Sequence, residues 1–309
     1  MISTTHIPVM EEEVLFALQP SPNGRYADGT VGMGGHTAAI LKRSAPTGWV
    51  YGCDRDGAAL RTAELRLAEF AGRFELRRAN YTTLAGWVPT GTIDGVLLDL
   101  GVSSPQLDNA DRGFSFLNDG PLDMRMDDRQ EVTAATLVNG ESQEALQKIF
   151  WSYGDEPKGR RLAKAIVERR RERPFETTRD LAEFIAEISP RGGKKKHPAT
   201  RVFQALRIAV NDEIGAVQQG LAGAMKILKP GGRLAVITFH SLEDRTVKEF
   251  GRRMERDYEV DGEVDRPELR RPKRPELKRV NRKAILPGED ELSRNPRARS
   301  AQLRVFEKL

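Results

Sequence analysis

The chain has 309 residues, of which 39% are hydrophobic and 31% charged, so it can bury a sizeable core beneath a heavily charged surface. It has no apolar run near the roughly 18 residues that cross a membrane, and Met1–Glu13 lacks the basic start and apolar stretch of a secretory signal. Its single cysteine, Cys53, excludes an intramolecular disulfide and a multi-cysteine metal site, and we expect a soluble cytoplasmic protein with no membrane partner.

The net charge of +5 is unevenly distributed along the chain. Residues 1–150 contain 13 Lys and Arg against 20 Asp and Glu, whereas residues 151–309 contain 37 against 25. The basic residues are concentrated in segments 158–173 and 266–283. Such patches suit a polyphosphate partner, because binding releases condensed counterions. A solvated helix face and a loose basic loop are the alternative.

Short strand-like and helix-like segments alternate in the first hundred residues. We predict strands at Arg25–Val31, Trp49–Asp54, Phe74–Ala79 and Gly95–Leu100, and helices at Thr37–Arg43 and Gly57–Phe70. This alternation indicates βαβ units and a parallel sheet with helices on both faces. Within the last of these strands, Gly95-Val96-Leu97-Leu98 is apolar on successive residues, as expected for a strand buried on both faces.

From about Asp108 the pattern becomes helical. We predict helices at Glu144–Ser152, Gly159–Arg171, Thr178–Ile188 and Asp212–Leu228, a turn at Lys229–Gly232, strands at Arg233–Phe239 and Ala301–Phe306, and a mobile basic connection at Asp261–Arg282. The predicted fold class is therefore α/β: a Rossmann-like sheet domain, residues 1–107 and 212–309, interrupted by a helical insertion domain, residues 108–211. An insertion of this size is tolerated when its ends lie close together.

A glycine-rich loop follows the first predicted strand. Its sequence is Asp28-Gly29-Thr30-Val31-Gly32-Met33-Gly34-Gly35-His36-Thr37. Glycines allow the backbone to bend sharply and to approach a ligand closely. Asp54 ends the second strand, 22 residues beyond Gly32, where a carboxylate can accept both hydroxyls of a ribose. Together these features indicate a nucleotide-like cofactor.

The loop departs from a dinucleotide-binding fingerprint. In the pattern G-x-G-x-x-G, Thr37 stands where the third glycine is required. An acid ahead of the glycines, Asp28, instead favours S-adenosylmethionine, which carries an ammonium and a sulfonium but no phosphate. A nicotinamide-dependent dehydrogenase is the rival enzyme, and glycines that only turn a strand into a helix are the structural alternative.

A second candidate loop follows the fourth predicted strand. In amino-methyltransferases a polar tetrad containing proline binds the target amine at this place, and Ser103-Ser104-Pro105-Gln106 could serve that way. An exocyclic cytosine amine is a poor nucleophile, because its lone pair is delocalised into the ring. Hydroxyl and carbonyl acceptors would aim that lone pair at the methyl group, so Ser103, Ser104 and Pro105 are the candidate catalytic loop. A simple turn is the alternative.

These motifs and several others resemble the bacterial 16S ribosomal RNA (cytosine-N4)-methyltransferase family, known as MraW or RsmH. The resemblance runs nearly from end to end of the chain. It rests on these blocks: His6–Met10, Asp28–His36, Asp99–Gln106, Arg112–Phe116, Pro121–Met126, His197–Asn211, Thr238–Arg245 and Asn295–Ser300.

The resemblance implies a class I methyltransferase sheet and methylation of N4 of one cytidine in the decoding region of 16S rRNA, with the insertion recognising the substrate. The implied partner is 16S rRNA within the small ribosomal subunit. The sequence leaves monomer and homodimer open, and the methyl-transfer chemistry described above requires no metal. The implied cofactor contacts are Gly34, Gly35, His36, Asp54, Tyr81, Asp99 and Gln106. The family usually has phenylalanine where this chain has Tyr81, which keeps the stacking face but adds a hydroxyl that needs a partner.

The candidate RNA contacts are polar residues of the insertion and of one strand end: Lys194, Lys195, Lys196, Arg201, Arg207, Asn211 and His240. Each has a structural alternative. Arg207 and Asn211 share one helix face and could pair with acids of the insertion. His240 could be a hydrogen-bonded structural histidine, and His36 could only cap a helix. A non-catalytic RNA-binding or assembly factor is the remaining functional alternative, which intact Asp54 and Asp99 oppose.

Overall fold

The computed structural model describes residues 8–190, 197–262 and 264–309, and its contacts divide the chain into two compact units. The sheet unit comprises Met1–Gly101 and Ile214–Leu309, and the helical unit comprises Val102–Glu213. The helical unit therefore begins at Val102 rather than at Asp108, and the Ser103–Gln106 loop belongs to it.

The sheet unit is built on a mixed sheet. Its strands are β1 (Arg25–Asp28), β2 (Trp49–Asp54), β3 (Phe74–Arg78), β4 (Ile93–Asp99), β5 (Leu228–Thr238), β8 (Leu277–Arg279) and β9 (Gln302–Lys308). Over the described residues these seven strands are ordered β3-β2-β1-β4-β5-β9-β8, with β1 to β5 parallel and β9 antiparallel to β5. The strand order reverses between β1 and β4, and ligands of such sheets bind outside the carboxyl ends of the strands at this point. The expected Rossmann-like α/β fold is confirmed.

Helices cover both faces of this sheet. They are α1 (Glu11–Leu18), α2 (Gly35–Arg43), α3 (Gly57–Arg66), α10 (Glu213–Ile227), α11 (Ser241–Glu255) and the short α12 (Glu289–Arg294). Leu97 of β4 packs in one core with Ile40 of α2, whereas Leu98 packs in the other core with Leu221 of α10. Successive side chains of a strand point to opposite faces, so both must be apolar. None of the described helices is long and apolar enough to span a membrane.

The helical unit has a core of its own. Its helices are α4 (Ser104–Asp108), α5 (Ala134–Gly140), α6 (Gln143–Gly154), α7 (Gly159–Arg169), α8 (Thr178–Ile188) and α9 (Thr200–Asn211). Fully buried Phe150, Ile166 and Ile185 share this core with Met124 and Met126. The predicted bounds of α8, Thr178–Ile188, are confirmed. The helix begins there because the Thr177 hydroxyl accepts the backbone N–H of Asp180 and caps its first turn.

The turn predicted at Lys229–Gly232 is an irregularity within β5. Pairing with β4 jumps from Ile93–Leu228 to Gly95–Arg233, which leaves the intervening residues of β5 bulged. Gly231 takes a φ of +78°, a backbone conformation that favours glycine. The chain therefore bulges at this sequence but continues along the same strand.

The prediction of a mobile connection at Asp261–Arg282 is wrong. The segment contains β7 (Arg270–Pro272), which pairs with β6 (Tyr258–Val260), and β8, which pairs with β9. Arg256 and Arg270 lie 5.3 and 4.3 Å from the centre of the Tyr258 ring, and both pair with Asp265. Composition alone does not predict these strands. They are stabilised by stacking and ion pairs, and their residues lack the alternation of apolar and polar side chains that usually marks a strand.

The packing of α11 on β9 predicts the effect of one glycine substitution. A Cβ on Gly251 would lie 2.2 Å from Cε1 of Phe306, so Gly251→Ala should lower the free energy of unfolding. We expect a loss of about 1–3 kcal/mol from this overpacking, measured by urea unfolding.

Gly223→Ala on α10 is the matched control, since its new Cβ would meet only Ala85 at 3.8 Å. It should gain about 0.5–1 kcal/mol, because alanine is the better helix former. Equal stability of the two variants would contradict the close packing of Gly251.

Candidate active site

The carboxylate of Asp28 holds the glycine loop in place. It is fully buried at the end of β1, where it accepts the backbone N–H of Thr30 at 3.0 Å and the hydroxyl of Thr37 at 2.6 Å. The Thr30 hydroxyl accepts the backbone N–H of Asp99 at 2.7 Å. These bonds join the end of β1, the start of α2 and the end of β4. Because no part of Asp28 is exposed, it is a positioning residue and acts through the loop.

The glycines of the loop are required by conformation and by close neighbours. Gly34 precedes α2 with a φ of +81°, and a Cβ there would lie 3.2 Å from Cβ of Ala63. A Cβ on Gly35 would lie 2.5 Å from Cγ of Pro8. The loop backbone therefore lies close to Ala63 on one side and to Pro8 on the other. A larger residue at Gly34 or Gly35 would push the loop away from these neighbours.

Asp54 supports the same loop from β2. Its Oδ2 accepts the backbone N–H of Gly32 at 2.8 Å, and its Oδ1 accepts that of Asp56 at 2.8 Å. Burial raises the pKa of the Asp54 carboxyl, and these two bonds partly offset the shift. Each carboxylate oxygen has a further lone pair that can accept a ligand hydroxyl.

Asp99, at the end of β4, has a buried acceptor without a donor. Its Oδ1 is buried and has no hydrogen-bond partner among the described residues, while its Oδ2 lies 3.7 Å from Nε2 of His36. The pKa of Asp99 is raised well above its usual range by burial and by the carboxylates of Asp28, Glu243 and Glu291. An unsatisfied acceptor among acids favours a ligand that is cationic and donates hydrogen bonds.

The side chain of Tyr81 is more deeply buried than a residue needs to be in order to stack against an adenine. Its side chain is 8% exposed, since a Cβ on Gly220 would lie 2.4 Å from its Cδ2 and one on Gly29 would lie 2.7 Å from its Cβ. Most of the ring therefore belongs to the core of the sheet unit. The adenine contact that the resemblance implies stays a prediction, confined to the small part of the ring that reaches the surface.

Glu243 is a residue of the site region that sequence reasoning missed. It is 1% exposed in the first turn of α11, and its Oε2 accepts the backbone N–H of Phe239 at 2.8 Å and that of His240 at 3.3 Å. Nδ1 of His240 accepts the backbone N–H of Glu243 at 3.4 Å, which completes a capping box. The spacing of an N-cap residue and a glutamate three residues later was the available signal. The structure thus supports the structural alternative for His240, whose side chain is 11% exposed.

The Ser103–Gln106 loop starts the helical unit and leads into α4. Gln106 is 5% exposed, and its Oε1 accepts the backbone N–H of Ser103 at 3.0 Å. This bond closes the turn that Ser104 and Pro105 occupy. Gln106 therefore shapes the loop, and its implied cofactor contact stays a prediction.

Two of the residues predicted to contact RNA make hydrogen bonds within the helical unit. Arg207 makes a two-pronged ion pair with Glu213, at 2.8 Å for both hydrogen bonds. Asn211 is 4% exposed; its Nδ2 donates to the carbonyl of Met124 and its Oδ1 accepts the N–H of Met126, both at 2.8 Å. These contacts support the structural alternative for both residues, and their contact with RNA stays a prediction.

Arg201 is the exposed member of the predicted set on α9, and it donates to the carbonyl of Asp155 at 2.8 Å. Lys194, Lys195 and Lys196 lie outside the described residues.

The fold and the loop geometry together define a class. A Rossmann-like sheet with a glycine loop after β1, an acid at the end of β2 and an antiparallel strand beside β5 is the arrangement of class I methyltransferases. The sequence profile of the MraW methylase family matches residues 3–309, and the chain belongs to this family.

Two relatives illustrate the similarity. Ribosomal RNA small subunit methyltransferase H of Heliobacterium mobile is 48% identical over 98% of this chain and 99% of its own length. The protein of the same name from Magnetococcus marinus is 48% identical over the whole of both chains. Among solved structures, an rRNA methylase from Streptococcus thermophilus has a TM-score of 0.45 at 12% identity over 99% of each chain.

The burial of Asp28 predicts a dependence of stability on pH. Burial raises the pKa of Asp28 from 3.8 to about 6 in the folded protein. The folded state then holds this proton more tightly than the unfolded state, so the stabilisation is present below the unfolded pKa and is lost as the pH rises through the folded pKa. Asp28→Asn is neutral at every pH and removes this contribution.

The free energy of unfolding of the wild type, relative to Asp28→Asn, should therefore fall between about pH 4 and about pH 7. Urea unfolding of both proteins at the two pH values measures this difference. A difference that does not change with pH would show that Asp28 titrates normally.

Proposed function

We propose that the protein transfers the methyl group of S-adenosylmethionine to N4 of a cytidine in the decoding region of 16S rRNA, within the small ribosomal subunit. The observation that carries the cofactor assignment is the buried Oδ1 of Asp99, which has no donor in the part of the chain that the structure describes and lies among acids at the carboxyl ends of the strands. Membership of a methylase family and relatives named as ribosomal small-subunit methyltransferases support the reaction class and the substrate.

The residues of the site fit this cofactor. Asp54 would accept the ribose hydroxyls, Asp99 would accept the ammonium group, and Gly34, Gly35 and His36 would line the loop that approaches the methionine end. The acids around Asp99 stabilise a cationic ligand more strongly than water would, because their surroundings have a low effective dielectric constant. When bound, S-adenosylmethionine supplies a methyl group activated by the sulfonium.

The Ser103–Gln106 loop would orient the amine. Hydroxyl and carbonyl oxygens accept hydrogen bonds from the exocyclic amine, which favours a pyramidal nitrogen whose lone pair is free to attack. Orientation of this kind supplies much of the acceleration, and no metal or covalent nucleophile is required. A stacked cytosine cannot present its amine to the methyl, so the base must be splayed out of the RNA, and the helical unit would recognise the RNA around it.

The geometry disfavours a dehydrogenase. Thr37, at the position of the missing third glycine, is fully buried and donates to Asp28. A dinucleotide places a pyrophosphate at this helix start, where Asp28 and Asp99 offer it acidic groups and no positive charge. Retention of both Asp54 and Asp99 opposes a non-catalytic RNA-binding factor, which has no need of a cation-binding pocket.

Asp54→Ala tests the cofactor site directly. It removes both acceptors for the ribose, and each hydrogen bond to a charged group contributes about 1.5–3 kcal/mol. Affinity for S-adenosylmethionine, measured by calorimetry, should fall at least about tenfold. Glu64→Ala, an exposed acid on α3, is the matched control and should bind as the wild type does. Unchanged affinity of Asp54→Ala would reject the ribose assignment.

The reaction itself is tested with labelled S-adenosylmethionine and small subunits that lack the modification. Nucleoside mass spectrometry should find the label in N4-methylcytidine from 16S rRNA, with Asp54→Ala much slower than the wild type. Label on another atom of the base, on a ribose or on no nucleoside would contradict the proposal.

A further inference from the structure

One tryptophan of the helical unit lies at the surface. Trp151 on α6 is 49% exposed, whereas its neighbour Phe150 is fully buried. A Cβ on Gly159 would lie 2.9 Å from Cδ1 of Trp151 and 3.1 Å from its Nε1. One edge of the indole therefore rests on the first turn of α7, and the other part of the ring faces solvent.

Cations flank this indole on both helices. Lys148 lies three residues before Trp151, which is one helical turn, and Arg160 and Arg161 directly follow Gly159; all three cations are exposed. None of these three cations has a carboxylate within ion-pair distance among residues 8–190, 197–262 and 264–309. Their charge is therefore available to a partner.

A further cation comes from α9. Arg201 is exposed, and its guanidinium donates to the carbonyl of Asp155 at 2.8 Å. Asp155 directly follows the last residue of α6, so this bond holds the Arg201 guanidinium at the C-terminal end of the helix that carries Trp151. A carbonyl occupies only one donor of the guanidinium fork, which leaves others for an anion.

The other basic segment, residues 266–283, is different. Arg270 pairs with Asp265, Arg271 pairs with Asp261, and Arg279 pairs with Glu255. Because local acids neutralise these arginines, the segment offers less charge to a phosphate than its sequence indicates. The α6–α7 face differs in presenting its cations beside an exposed tryptophan.

We propose that Trp151, Lys148, Arg160, Arg161 and Arg201 form a docking surface for a single-stranded segment of the RNA substrate, distinct from the methyl-transfer site. We call it the Trp151 surface. A base stacks on the exposed indole, and the cations bind the phosphates on either side. An unstacked base is required, because bases inside a duplex do not offer their faces. The identity of the partner as RNA rests on the proposed function.

Two substitutions of Trp151 separate stacking from packing. Both Trp151→Phe and Trp151→Leu keep an apolar contact with Gly159, but leucine has no aromatic face. The probe is a fluorescein-labelled oligouridylate of about ten nucleotides, a length within the site sizes of single-strand binders. Its affinity for the full-length protein, measured by fluorescence anisotropy, should fall about tenfold in Trp151→Leu and change little in Trp151→Phe. Equal affinity of the wild type and Trp151→Leu, or an equal loss in both variants, would overturn the proposal.

A salt series tests the cations. Each phosphate contact with a single strand contributes about −0.7 to the slope of log affinity against log salt. The double variant Arg160→Gln, Arg161→Gln should reduce the magnitude of this slope by about 1.4, and an unchanged slope would remove both arginines from the surface.

The two proposals fail in different ways. Asp54→Ala should bind the oligouridylate as the wild type does, and Trp151→Leu should bind S-adenosylmethionine as the wild type does. Loss of oligonucleotide binding in Asp54→Ala would contradict the separation of the two sites. A failed cofactor assignment would appear as unchanged cofactor affinity in Asp54→Ala, whatever the oligonucleotide results.

Discussion

The buried carboxylate of Asp28 is the interaction on which the site depends. Burial of a carboxylate is unfavourable, and this one is stabilised by the N–H of Thr30 and the hydroxyl of Thr37. The same bonds fix where β1 ends and α2 begins, and through Thr30 they reach Asp99. The glycine loop is thereby held in shape before any ligand arrives, which lowers the conformational entropy lost on binding.

The charged groups at the two proposed sites differ in sign, as the ligands that the sites would bind also do. The sheet unit collects Asp28, Asp54, Asp99 and Glu243 around the carboxyl ends of its strands, where a small cation is favoured. Around Trp151 the helical unit carries Lys148, Arg160 and Arg161, which have no ion pair within the described part of the chain, and a polyanion is favoured there. One chain can therefore bind a cationic cofactor and a polyanionic substrate without either site attracting the ligand of the other.

The sequence predicted those features that depend on residues close together in the chain. Thr178–Ile188 was predicted to the residue, because its apolar stripe begins after a capping threonine. The glycine loop and Asp54 were also found, since strand ends and glycines leave a local signal. Roles set by tertiary partners were left open: Arg207 pairs with Glu213, and Asn211 bonds to the turn at Met124–Met126. Periodicity places two residues on one face of a helix, but only the fold decides what that face meets.

The most direct test of the account is a crystal structure of the protein soaked with S-adenosylmethionine. We expect density for the ligand along Gly34–His36, with its ribose hydroxyls on the Asp54 carboxylate and its ammonium group on Oδ1 of Asp99. Density for the ligand elsewhere on the molecule, or full saturation in solution with no contact to either carboxylate, would contradict the account.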